Sequence, residues 1–173
     1  MIKEENLLKK SSSGFTMIEL IIVIATMAIF GALTAEILSN ATKVYSSSLD
    51  KQQFISEARS SFFKIAREIS WQKSFDGFTE STNKKIVINT GEEDLISYEI
   101  RSTNNILHSN NQINTELLTN KINYNNSEYS YLNSENNQLD IQTQSHQITL
   151  INLKIDFTDG DHSIVFNSDV IPY

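Results

Sequence analysis

The apolar residues of this chain are gathered towards its start. Positions 20–35 are sixteen consecutive uncharged and mostly apolar residues, and reading back through Glu19 to Phe15 lengthens the stretch to 21. About 20 such residues suffice for a helix to cross a bilayer. Past Ala35 the apolar positions thin out but keep helical spacing. Ala41, Val44, Tyr45, Leu49, Ile55, Ala58, Phe62, Ile65, Ala66 and Ile69 recur mostly three or four apart, with Lys43, Asp50, Glu57, Lys64 and Glu68 between them. This is the pattern of an amphipathic helix. The only proline is Pro172, so nothing of that kind breaks it. The pattern predicts one helix over 15–71, roughly 85 Å long at 1.5 Å per residue.

The second half changes period. "SFDGFTE" ends the helical pattern with turn residues around Gly77. "KKIVIN" (84–89) and "DLISYEIR" (94–101) flank "TGEE" and predict a β-hairpin, with Ile96, Tyr98 and Ile100 on one face. "HQITLINLKIDF" (146–157) is the strongest strand signal. Its inward candidates are Ile148, Leu150, Leu153, Ile155 and Phe157, and the change of parity at Ile151–Asn152 predicts a bulge. Asp159–Gly160 separates it from "HSIVF" (162–166), a second hairpin. Residues 102–145 are crowded with Asn and Ser and read as loops, with marginal strands at "NILH" and "QLDIQ". The expected fold class is α+β: a long N-terminal helix, its first half suited to a membrane, packed on a small antiparallel β-sheet head.

Charge sharpens this division. Residues 1–14 hold three Lys and two Glu, residues 15–72 hold five basic and five acidic side chains, and residues 73–173 hold six basic and fourteen acidic. The distal part is therefore net −8 in a chain of net −7. Such a field repels phosphate backbones, so no nucleic-acid partner is expected. There are no cysteines, which excludes disulfides and thiolate metal sites.

Glu19 is the anomaly of the apolar run, because a central carboxylate costs on the order of 2.5–3.5 kcal/mol on membrane-insertion scales. A secretory signal peptide fits the basic start (Lys3, Lys9, Lys10), although the run is long for one and only "SNA" at Ser39–Ala41 offers a cleavage site. A plain anchor fits the hydropathy and leaves Glu19 unexplained. The third reading uses the residues themselves. "KKSSSGFTMIEL", over about residues 9–38 with its following apolar run, resembles the prepilin signal shared by type IV pilins and the pseudopilins of type II secretion.

That resemblance implies cleavage by a membrane prepilin peptidase between Gly14 and Phe15, N-methylation of the new Phe15 amine, and a subunit-assembly role for Glu19. It divides the chain into a leader (1–14), a transmembrane and assembly helix (15–38), an amphipathic stem helix (39–72) and a loop-rich β head (73–173). The physics agrees with it. An amine at Phe15 lies one helical turn before Glu19, on the same face, and a first-turn carboxylate is favoured by the helix dipole. In low dielectric, pairing Glu19 with a neighbour's Phe15 amine is strong. "ISYEI…NILHS…TELLTNKI…ITLINLKIDF…VIP" looks like the J-type minor pseudopilins and related minor pilins, with His108 where Arg is common in them.

Other chemistry is thinly represented. Asp156, Asp159 and Asp161 are a weak Ca²⁺ candidate, since "DFTDGDHS" lacks the spacing of an EF-hand and a hairpin turn accounts for the Asp-Gly pair. His108, His146 and His162 sit in no metalloprotease or hydrolase pattern, and the five glycines form no phosphate loop. Tyr124, Tyr129 and Tyr131 are either partner contacts or ordinary core. The expectation is a non-enzymatic minor pilin or pseudopilin with no cofactor, acting in assembly, priming or the tip of a filament. A major pilin and a membrane-anchored DNA-uptake pilin are the alternatives. Major pilins often carry a helix-loosening proline and a C-terminal disulfide, and this chain has neither. Implied partners are the prepilin peptidase, other pilins or pseudopilins, a membrane assembly platform and lipid. The implied location is the cytoplasmic membrane, with the N-terminus inside and the head outside, and then a pilus or pseudopilus.

Overall fold

The computed structural model describes residues 14–73, 78, 80–90, 95–110 and 114–172. The basic positions Lys3, Lys9 and Lys10, the expected turn at Gly77 and the expected acidic hairpin turn at Glu92–Asp94 lie outside those residues. The fold class is α+β: one long helix, α1 (Met17–Ser70), and antiparallel β-structure. The chain divides into two compact units, up to Ser48 and from Leu49 onward.

The first unit is helix from Met17 on, exposed along its whole length. It is the only helix among the described residues long and apolar enough to cross a membrane. The two hydroxyls of its apolar run are satisfied within the helix. Thr26 Oγ1 donates to the carbonyl of Ile22 at 3.0 Å, and Thr34 Oγ1 to that of Phe30 at 2.8 Å. These back-bonds leave no hydroxyl proton unpaired where lipid offers no acceptor.

In the second unit the rest of α1 buries one face. Phe54, Ala58, Phe62, Ile65 and Ile69 are spaced four, four, three and four apart and form the helical side of the core. Burial starts at Phe54, later than the stem pattern suggested, and Val44, Tyr45 and Leu49 are exposed. The helix ends by tightening into i→i+3 bonds, from Trp71 N–H to the Glu68 carbonyl and from Gln72 N–H to that of Ile69. Gln72 then turns the chain into the sheet, its Oε1 accepting from Asn89 N–H at 2.7 Å.

Two antiparallel sheets stand where the sequence suggested one. The first has the order β1 (Lys85–Asn89), β2 (Leu95–Arg101), β3 (Asn105–Asn110), β4 (Asn114–Thr119). The second has the order β5 (Glu128–Leu132), β6 (Leu150–Thr158), β7 (Ser163–Val170), with a single-turn helix, α2 (Ile141–Gln144), before β6. Both expected hairpins form, with Ile88 opposite Ile96 in one and Ile155 opposite Phe166 in the other.

Two expectations need correction. "NILH" widens into β3, but "QLDIQ" is no strand: it makes one bridge, Gln138 to Leu132, and enters α2. The bulge at Ile151–Asn152 is absent, because β6 begins at Leu150 and its odd residues Ile151, Leu153, Ile155 and Phe157 all face the core in unbroken register. A register shift falls instead between Ile106 and Leu107, against β4. Of the two readings of the tyrosines, core packing holds for Tyr129 and Tyr131. They are core residues of β5, and Tyr124 lies half-buried under the Lys84 ammonium.

Candidate functional site

The residues singled out at the N-terminus occupy one short stretch. Gly14, Phe15 and Thr16 precede the helix in non-helical backbone, and all three are exposed. Its two chain neighbours aside, no described atom lies within 4 Å of where a Cβ on Gly14 would stand. Phe15 is 74% exposed.

Thr16 is the N-cap of α1 and Glu19 stands three residues on. The Glu19 carboxylate accepts from both the Thr16 N–H and the Thr16 hydroxyl, each at 2.8 Å, all on Oε2. In return Thr16 Oγ1 lies 3.4 Å from the Glu19 N–H. This is a capping box, in which two helix-end donors are satisfied reciprocally. Glu19 thus has a local role as well as its place in the signal pattern. The Thr-x-x-Glu spelling that announces it was visible in the sequence, overshadowed by the cost of the charge. Only Oε2 is used in these bonds; Oε1 remains open to a further donor.

The structure does not bring the three aspartates together as ligands. Asp156 is 5% exposed, accepting from Asn126 Nδ2 at 2.9 Å and Ser163 Oγ at 3.1 Å. Asp159 closes the β6–β7 turn: its Oδ1 accepts the N–H groups of Asp161 and His162, and its Oδ2 lies 3.3 Å from His162 Nδ1. The His162 N–H bond, with smaller help from the other two donors, holds the Asp159 carboxyl below its usual range. Gly160, at φ +99°, supplies the left-handed residue that the turn requires. Among the described residues no group of three or more His, Cys, Asp or Glu is placed to hold a metal ion.

No family model, no curated protein and no solved structure matches this chain.

Within the head, the titratable groups that depart from ordinary behaviour are structural. Burial pushes the phenols of Tyr98, Tyr129 and Tyr131 well up, and for Tyr98 the neighbouring Glu68 carboxylate, 2.5 Å from its hydroxyl, adds to this. His108 is pushed down, first by desolvation and then by the Lys64 ammonium. Its ring lies 5.1 Å from that of Tyr98. His146 is exposed on the 3₁₀ turn Ser145–Gln147, and His162 lies in the β6–β7 turn.

Proposed function

We propose that the chain is a non-enzymatic filament subunit of the type IV pilin and pseudopilin kind, cleaved after Gly14, N-methylated on Phe15 and drawn from the cytoplasmic membrane into a filament. One observation carries the reading. An exposed Gly-Phe bond stands immediately before a helix whose first turn holds Glu19 and whose next 30 residues are apolar or mixed and buried against nothing in the chain. Lipid and then neighbouring subunits are the surroundings that suit such a helix.

The mechanism follows from the cap. In the membrane-resident subunit Thr16 solvates the Glu19 charge locally. After cleavage the Phe15 amine of a neighbouring subunit is attracted to the open Oε1, and an incoming chain is registered axially by that pair. The absence of a proline in α1 and of any cysteine favours a minor subunit, acting in assembly or priming, over an abundant fibre-former. The net −8 of residues 73–173 disfavours duplex DNA as a ligand.

The experiment is the intact mass of chain purified from cells that contain a prepilin peptidase. Loss of residues 1–14 with gain of one methyl group is expected, and a mature N-terminus anywhere else refutes the reading. Glu19→Ala is expected to be cleaved normally and to enter filaments poorly. Normal incorporation of that variant removes the pairing role.

A further inference from the structure

Between α1 and the first sheet, one carboxylate has two claimants. Glu68 Oε2 accepts the Tyr98 hydroxyl at 2.5 Å, and this bond ties the last turn of α1 to β2. Tyr98 is fully buried, so its hydroxyl has no water to fall back on. His108 stands beside this pair. Tyr98, His108 and Glu116 lie directly opposite one another across β2, β3 and β4, and the His108 ring is 5.1 Å from that of Tyr98.

His108 is half-buried, and its Nδ1 is shielded from solvent with no hydrogen-bond partner among the described residues. Among those residues, the charged groups that act on the imidazole come from two elements. α1 brings the Lys64 ammonium and the Glu68 carboxylate, one helical turn apart, and β4 brings the exposed Glu116 carboxylate. Desolvation first and Lys64 second hold the imidazole below the usual histidine range.

A neutral imidazole can leave an acceptor nitrogen unpaired at small cost. An imidazolium cannot, because both of its nitrogens then carry hydrogens that need acceptors. Two described carboxylates are available to it. Glu116 sits on an edge strand, where water competes for it. Glu68 is half-buried, and a charged donor binds such a carboxylate more strongly than a phenol does.

We propose that Glu68 is a two-position latch, holding Tyr98 while His108 is neutral and turning to His108 when His108 takes up a proton. The exchange leaves the Tyr98 hydroxyl without its partner and loosens α1 from the first sheet in acid. Because burial and Lys64 lower the folded-state value of His108, the stability at stake is fully present above about pH 6.5 and is lost as pH falls through that folded value. The latch stands independently of the filament reading. On that reading it gives a head outside the membrane a response to acid surroundings.

Trp71, the chain's one tryptophan, is a built-in reporter, since its N–H bonds to the Glu68 carbonyl at 3.1 Å. The test follows Trp71 emission and the His108 ring resonance of the full chain in detergent micelles, from about pH 8 to about pH 4.5. Both are expected to change with one midpoint, below about pH 6.5. His108→Gln should abolish the Trp71 transition, while His146→Gln and His162→Gln leave it in place. Tyr98→Phe frees Glu68 and should raise the midpoint by about half a pH unit, and Lys64→Met should raise it by a similar amount. Glu68→Gln should lower it and uncouple Trp71 from it. Circular dichroism at neutral pH checks that each variant is folded. Lys64→Met, which keeps the aliphatic stem, carries the test where a core variant is not.

A Trp71 transition that survives His108→Gln overturns the proposal. So does a His108 midpoint at or above that of an ordinary histidine, an imidazole that stays neutral throughout the range, or a shift in the same direction for Tyr98→Phe and Glu68→Gln. None of these readouts depends on cleavage after Gly14, so intact mass tells failure of the latch from failure of the filament reading.

Discussion

Three of the six tyrosines make the head sensitive to alkali in a way that can be worked out. Tyr98, Tyr129 and Tyr131 are each at most 2% exposed, and burial raises all three phenols. A raised folded-state value means that the folded chain keeps the phenolic proton while the unfolded chain, with ordinary tyrosines near 10, gives it up. The associated stability is fully present below about pH 10 and is lost as pH climbs from there towards the folded values. One pH unit above the ordinary value, each buried tyrosine has cost about 1.4 kcal/mol and the three together about 4 kcal/mol. Domains are stable by about 5–15 kcal/mol, so unfolding near about pH 11–12 is expected.

The assay pairs tyrosinate absorbance with circular dichroism through an alkaline titration. The absorbance of these three residues should rise only as ellipticity falls. Tyr129→Phe is the control that isolates the effect, because the Tyr129 hydroxyl has no hydrogen-bond partner. Removing it should raise stability at neutral pH by about 1–3 kcal/mol, the cost of the unpaired buried hydroxyl, and by about 1.4 kcal/mol more at about pH 11. An unchanged alkaline midpoint in that variant, or full ionisation with the fold intact, refutes the reasoning.

The remaining predictions concern packing and the β6–β7 turn. Ile65→Ala, at a fully buried position of α1, should cost about 2–5 kcal/mol in denaturant melts, while Phe63→Ala two residues earlier should stay within about 0.5 kcal/mol. Asp156→Ala orphans the Asn126 and Ser163 donors and should cost about 1–3 kcal/mol, and neither calcium nor chelator should shift the wild-type melting point. Breaking the half-exposed Lys121–Glu57 pair with Lys121→Met should cost no more than about 1 kcal/mol.

Much of the architecture was legible because the chain switches hydrophobic period cleanly. The helix was expected over 15–71 and runs over Met17–Ser70, and strands β1, β2, β3, β6 and β7 overlap their sequence signals. What escaped has physical reasons. β5 alternates Tyr129 and Tyr131 as a strand should, but Asn and Ser around it give the composition of a loop. β4 is an edge strand with Leu117 exposed, so its apolar pair Leu117–Leu118 carries no alternation. The supposed bulge came from counting Leu150 as inward; it is only half-buried, and Ile151 leads the inward row. At the N-terminus, Gly14, Phe15 and Glu19 were named from the order of residues. The bond from Glu19 back to Thr16 depended on where the helix begins, which the apolar pattern fixed only to within two residues.

The head closes without a covalent staple, and Lys84 shows what replaces one. Its ammonium donates to the carbonyls of Tyr124 and Ser127 and lies 4.6 Å from the centre of the Tyr124 ring, fastening the start of the first sheet to the segment that enters the second. A disulfide in that place would hold until it broke. A lysine clasp gives way under tension and re-forms when the tension falls, needs no oxidising machinery to set, and lets a strained head recover its shape unaided.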